Sequence, residues 1–403
     1  MEFWKKNLLF LWIGTFITAA SFSMVVPFLP IFLLQIGVHH HVAFWSGSLY
    51  SSAFLAGAIS APFWGGMADR FGRKPMIVRA GFVLVFVYVM TAFVTNPYEL
   101  LLLRIIQGLL SGYIPGAIAL VATNTPEDKA GYALSMISAA SSAGTIFGPL
   151  MGGVIAHLSN NRIAFATAGI LVLFSTLLVI FWVKEDSFKK SEKRPSTMDT
   201  FKQAVHNRPL MSALLLNMFT AFSIMTVEPV ITIYITELTH SITNASLIAG
   251  VVFSLSGIAS AIFAPLWGKA FDRYGFTVIL IIGLFGGAVW TFMQLPFENI
   301  WWFASIRFLY GVFFSAVFPA INGLVVRSTN PVFRGRAFGL NQTANQLGSM
   351  LGPVLGGVVA EVTSIHGLFW ITGAFLTAIA AISTWYFKSE FRTKLPSSSQ
   401  APQ

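Results

Sequence analysis

Residues 61–72 read APFWGGMADRFG, and residues 264–275 read APLWGKAFDRYG. Ala61, Pro62, Trp64, Gly65, Asp69, Arg70 and Gly72 thus return as Ala264, Pro265, Trp267, Gly268, Asp272, Arg273 and Gly275. Further out, Arg104 and Gly108 return at the same spacing as Arg307 and Gly311. The stretch GTIFGPLMGG at 144–153 returns as GSMLGPVLGG at 348–357. Three paired landmarks in one order divide the chain into two homologous halves.

The chain has 403 residues, of which 55% are hydrophobic and only 10% charged, well below the roughly 25% charged residues of soluble domains. Apolar runs recur near 8–34, 44–67, 76–95, 98–121, 132–157, 163–183, 212–236, 246–267, 277–296, 300–326, 336–360 and 366–387. At about 20 residues or more, each matches a hydrocarbon core of about 30 Å, and they are numbered here helices 1 to 12. The first run is too long for a signal-peptide core and is expected to remain as helix 1. The fold class expected is an all-α membrane protein, with twelve transmembrane helices in two pseudo-symmetric six-helix bundles at 1–183 and 211–388. A polar cytoplasmic linker at 184–210 joins them, and a polar tail, expected to be disordered, follows at 389–403. Paired halves in so apolar a chain are the architecture of secondary transporters.

A net charge of +10 raises the question of nucleic acid, and its placement answers it. With the N-terminus in the cytoplasm, 22 of the 25 Lys and Arg residues fall in inner segments. Arg104 and Arg307 lie inside spans, and Arg162 is the exception in an outer loop. This is the positive-inside bias, and it places both termini in the cytoplasm. The basicity is topology, so no nucleic-acid partner is needed. The chain has no cysteine, which excludes disulfides, Cys-based zinc sites and thiol catalysis. The spans offer no His pair, carboxylate dyad or Ser/His constellation, so the chain is read as no enzyme, without metal or cofactor. His39-His40-His41, consecutive in an outer loop, reads as solvated.

The stretch Gly65 to Lys74 matches the GxLaDRxGRK signature at the end of helix 2 in the major facilitator superfamily. Pro27-Phe28-Leu29-Pro30 is like the PxxP of drug exporters, and Arg104-Ile105-Ile106-Gln107-Gly108 is like the RxxQG motif of helix 4. Gly144, Gly148, Pro149, Gly152 and Gly153 match GxxxGPxxGG, a motif associated with antiporters. The ensemble resembles the twelve-helix drug:proton antiporters, in particular bacterial multidrug-resistance exporters. The resemblance implies efflux of small amphipathic drug-like compounds in exchange for protons by alternating access. It implies no cofactor beyond the proton gradient, a monomer in the bacterial cell membrane, and the lipid bilayer as surroundings. A proton-linked exporter of a sugar or other metabolite on the same fold stands as the alternative.

The resemblance also assigns roles. Asp69, with Arg70, Gly72, Arg73 and Lys74, would latch the cytoplasmic face against the start of helix 11, where Arg336 and Arg334 are ionic partners. Arg104 would assist proton movement. From the residues themselves, Glu228 in helix 7 is the one acid inside a span. Ionisable groups there are costly and by default functional. Low dielectric disfavours a charged carboxyl, so Glu228 is the candidate proton carrier; a drug contact or a structural role remain its alternatives. Asn341, Gln342, Asn345 and Gln346 form a polar stripe on helix 11. With Gln107, Asn217, Phe222, Arg307 and Asn322 they are the candidate cavity lining, and Tyr234, Phe314 and Phe318 are further candidate walls. The glycines of helix 5, spaced by four, are read as a close-packing ladder.

Overall fold

The computed structural model describes residues 3–185, 203–239, 242–296, 298–330 and 333–387. The interior of the linker and the C-terminal tail lie outside the described residues. Twelve membrane-scale helical elements follow one another: α1 Phe3–Gln35, α2 Val42–Phe71, α3 Arg73–Thr91, α4 Pro97–Asn124, α5 Glu127–Leu158 and α6 Asn161–Trp182, then α7 Arg208–Thr239, α8 Ile242–Tyr274, α9 Phe276–Phe292, α10 Ile300–Arg327, α11 Arg334–Val362 and α12 Ile365–Tyr386. No strand occurs among the described residues. Ten of these helices are long and apolar enough to cross a membrane, and α9 is a shorter apolar helix. α11 has the length, at 29 residues, but Arg334, Arg336 and the polar stripe lower its hydropathy.

Breaks and kinks fall where the chain lacks a backbone donor or gains a glycine. α1 passes through a 3-10 turn at Val26–Phe28, which contains Pro27 and is followed by Pro30. Pro30 has no N–H to give to the carbonyl four residues back, and the Val26 carbonyl instead accepts from Tyr50 Oη at 2.7 Å. α4 breaks after Leu110, at Gly112 with φ 131°. Its freed carbonyls are taken by Trp64 Nε1, 2.6 Å from the Leu109 oxygen, and by Arg79 Nη2, 3.1 Å from the oxygens of Leu110 and Ser111. α10 breaks at the corresponding place, and Trp267 Nε1 donates to the Val312 oxygen at 2.8 Å. The recurring tryptophan is therefore the donor that each half uses to close its broken helix.

The glycine motifs set how the helices meet. On α5, Gly144, Gly148 and Gly152 lie against the α1 backbone at Phe16, Ala20 and Met24; on α11, Gly348, Gly352 and Gly356 lie against α7 at Met218, Phe222 and Thr226. Pro149 and Gly153 project toward α8, in the other half. Two pseudo-symmetric seams follow: Gly47 of α2 rests on the Pro353 carbonyl of α11, and Gly250 of α8 rests on the Pro149 carbonyl of α5. Backbones approach this closely only where a Cβ is missing. Both seams lie at the end away from the basic loops. At the basic end the halves stand apart: Gly65, Gly66, Gly131, Gly268 and Gly339 have no neighbour in the direction a side chain would take. Ile59 and Phe63 of α2 and Ile262 and Leu266 of α8 are exposed there.

Candidate functional site

The parted halves enclose a central cavity of about 890 Å³, lined by α1, α2, α4, α5, α7, α8, α10 and α11, with Leu84 of α3. Its wall is mostly apolar, with serines and three charged side chains: Arg104, Glu228 and Arg307. It runs from the two closed seams toward the basic end, so Glu228, in the far third of α7, sits near its closed end.

Arg104 is 7% exposed; its Nη1 donates to Gln107 Oε1 at 2.7 Å, and Gln107 Nε2 donates to Tyr88 Oη at 3.3 Å. Gly108 lets α4 rest on the Ala53 carbonyl of α2, which holds this cluster against the cavity. Gly311 does the same at the Ser256 carbonyl. Arg307 is 6% exposed, and its guanidinium lies 4.9 Å from the Tyr310 ring centroid. Its Nε has no hydrogen-bond partner among the described residues. Arg307 is the cation whose charge acts on Glu228. Tyr50, on the cavity wall with Arg104 and Glu228, lies in the field of both. Arg104 and Arg307, the two cations inside spans, both stand on the cavity wall with Glu228, and the described hydrogen bond of Arg104 goes to Gln107. Tyr50 and Tyr310 escaped the sequence reading. The available signal for Tyr50 was the carbonyl that Pro30 leaves open.

The expected cavity residues separate into two groups. Gln107, Arg307, Gln346, Phe314 and Phe318 line the cavity. Asn217, Asn322, Asn341 and Asn345 do not; they bond one another inside the second half. Asn217 Nδ2 donates to the backbone oxygen and Oδ1 of Asn341, both at 2.8 Å. Asn341 Nδ2 donates to Asn322 Oδ1 at 2.9 Å, and Asn345 Nδ2 to Asn217 Oδ1 at 3.2 Å. In an apolar interior amides satisfy one another before they reach a wet surface. Gln342, one turn before Gln346 on the same face of α11, is exposed and is not among the residues that line the cavity. Phe222 packs on Phe375 at 5.5 Å, and Tyr234 is buried against Phe303 and Phe369.

At the basic end, Gly72 takes φ 98° and Gly275 φ 83°, the left-handed turns that make glycine recur there. Glu185, just beyond α6, accepts from the backbone amides of Arg73 and Lys74 at 2.9 Å each and caps the start of α3. Arg73 Nη1 donates to Thr123 Oγ1 and Lys74 Nζ to the Ile180 oxygen, both at 2.9 Å. Arg70 lies over the Phe71 ring at 5.2 Å, and Arg334 and Arg336 are exposed. The Asp69 side chain lies outside the described residues. With the halves apart at this end, the motif's described contacts stay within its own half.

Among known proteins, the family model for the Major Facilitator Superfamily matches residues 11–251 and 213–403. The chain belongs to the major facilitator superfamily. It is 36% identical over 377 residues to the multidrug resistance protein MdtG of Proteus mirabilis strain HI4320, covering 92% of this chain and 93% of that one. It is 35% identical over 390 residues to the MdtG of Salmonella newport strain SL254, with 95% of each covered. Two solved structures share the fold at low identity. One is the nucleoside transporter NupG, with a TM-score of 0.79, 16% identity, and 95% and 99% coverage of this chain and that one. The other is a bacterial homologue of the human lysosomal transporter Spinster, inward-facing and occupied, with a TM-score of 0.81, 14% identity, and 99% and 100% coverage. The chain is a multi-pass membrane transporter of this superfamily and not an enzyme, as the sequence reading expected.

Proposed function

We propose that this protein exports small amphipathic compounds from a bacterial cell in exchange for protons, through alternating access of the central cavity. The observation that carries the reading is Glu228, an acid within a span, at the closed end of a cavity lined by both halves and in the field of Arg307. The relatives named multidrug resistance proteins support the cargo class, and the apolar wall suits an amphipath. We place the basic loops and both termini in the cytoplasm, so the described state is open inward.

The coupling follows from charge. With Glu228 ionised, the cavity holds a carboxylate that accepts hydrogen bonds or the positive head of a cargo loading from inside. A proton taken up from outside removes that acceptor. It also leaves two guanidiniums, Arg104 and Arg307, without an opposing charge on the wall, which weakens retention of the cargo. Proton and cargo therefore exclude one another, the condition for exchange. Uptake of a fluorescent amphipathic dye into inverted vesicles tests this: it should need an imposed pH gradient and stop when the gradient is collapsed. Accumulation indifferent to the gradient would overturn the proton-exchange reading.

A further inference from the structure

The two seams that close the outer end are related by the repeat, yet they are finished differently. The α5/α8 seam ends in neutral groups: Ser246 Oγ donates to Asn161 Oδ1 at 3.4 Å, and Asn161 Nδ2 donates to Gln35 Oε1 at 3.2 Å. The α2/α11 seam ends in a carboxylate. Glu361, in the last turn of α11, accepts through Oε1 from the Phe44 amide at 3.0 Å, and its Oε2 lies 2.7 Å from His41 Nδ1. The Phe44 amide is one of the unpaired donors in the first turn of α2. His41, which precedes α2, adopts φ 55° and is the only non-glycine in the left-handed region among the described residues. Its side chain was expected to be merely solvated; it is largely exposed but tied to Glu361. The position matching Glu361 in the first half is His157, so the duplicated fold does not itself demand a carboxylate here.

We propose that Glu361 is a positioning residue that holds the outer gate shut, and that His41 makes this closure respond to the pH outside the cell. Glu361 belongs to the second half and both of its partners to the first. Both contacts therefore exist only while the outer ends are together, and both must break when the halves rock open. Histidine changes charge between about pH 5 and 8. An imidazolium turns a hydrogen bond between a neutral ring and a carboxylate into an ion pair, so acid outside strengthens the closed gate. That is the direction in which a carrier must move after taking up an outside proton. The inference rests on the alternating-access reading above and on its sidedness.

Other described titratable or charged groups at this end are His39 and His40 on the same loop, Tyr98 and Glu99 at the start of α4, His157 at the end of α5, Arg162 at the start of α6, Tyr234 and Glu237 toward the end of α7, Glu298 before α10, and His366 at the start of α12. Glu99 is occupied by the amide and hydroxyl of Thr95, and Glu237 lies in the field of His366. The His41 side chain is 72% exposed and that of Glu361 23%. Water screens such a pair, which limits its effect on the closed-to-open ratio to about fivefold.

The cysteine-free chain permits a direct test. Leu158→Cys and Trp301→Cys, each 78% exposed before substitution and on opposite halves at the outer end, carry spin labels for distance measurement in nanodiscs. Acidification from about pH 8 to about pH 5.5 should raise the closed-to-open ratio about two- to fivefold. His41→Gln should abolish that response. Glu361→Ala should lower the ratio at both pH values, and Glu361→Gln, which still accepts from Phe44, should lose only the pH response. An unchanged ratio in Glu361→Ala, or a full response in His41→Gln, would overturn the proposal. Should Glu361→Ala fail to fold, the near-isosteric Glu361→Gln carries the test, and a retained response there overturns it. The distance readout needs no cargo, so failure of dye export with an intact gate response would sink the export reading alone.

Discussion

Glu228 and Asn217 show how differently two polar residues of one membrane helix can be used. Both sit on α7, but Glu228 faces a cavity and Asn217 faces other amides. Glu228→Gln keeps the size and removes the titration. Gradient-driven dye export should then fall to passive leak while the protein still reaches the membrane, as measured in inverted vesicles; undiminished export would remove Glu228 from the mechanism. Asn217→Ala should leave the cavity wall intact and instead strip Asn341 and Asn345 of a partner. Orphaning such buried amides costs about 1–3 kcal/mol, to be read as a lowered unfolding midpoint in detergent. At this scale the sequence was legible in part. An acid among apolar residues announces itself, because burying a charge is expensive. The asparagines announced only their polarity. Whether an amide meets water or another amide depends on the rotation of α7, α10 and α11 about one another, which spacing along one helix does not encode.

At the scale of elements, α5 carries two adjacent stripes with separate tasks. Gly148 packs on Ser23 and Ala20 of its own half, while Gly153 packs on Ser246, Leu247 and Gly250 of the other. Gly148→Leu should therefore destabilise the first bundle in every state, by about 1–3 kcal/mol as for other overpacked interiors, read in the unfolding midpoint. Gly153→Leu should leave the bundle folded and push the outer ends apart, read as a longer distance between labels on α5 and α10. If the two variants behave alike, the stripes do not divide the work in this way. The repeated GPxxGG announced close packing because Gly at intervals of four leaves one helix face without Cβ atoms. It did not announce that neighbouring residues on the same turn would serve an internal and an inter-half contact.

At the scale of the whole molecule, the closed seams and the parted basic ends are one stage of the alternating-access cycle proposed above. In the proposed cycle, the latch expected at Asp69 would act in the opposite stage, with the basic ends together and Arg334 and Arg336 within reach. Asp69→Asn should accordingly slow exchange between the states more than it weakens cargo binding. Transport rate should drop while the apparent affinity for dye stays put, as measured in reconstituted liposomes. A normal rate would count against the latch. The loop around it is built to be rigid within its own half, since Glu185 caps α3 and Gly72 turns at positive φ.

What the amino-acid order determined unaided was the membrane architecture. Hydrocarbon admits only helices of a certain length with charges kept to the rims, and duplication writes each landmark twice. The gathering of Glu228 and Arg307 on one cavity wall, the binding of the Asn residues to one another, and the joining of His41 to Glu361 across 320 positions were decided only by tertiary structure. Each depends on which helix faces turn toward each other, and that is settled by Cβ-free backbones docking on neighbouring carbonyls rather than by any local pattern.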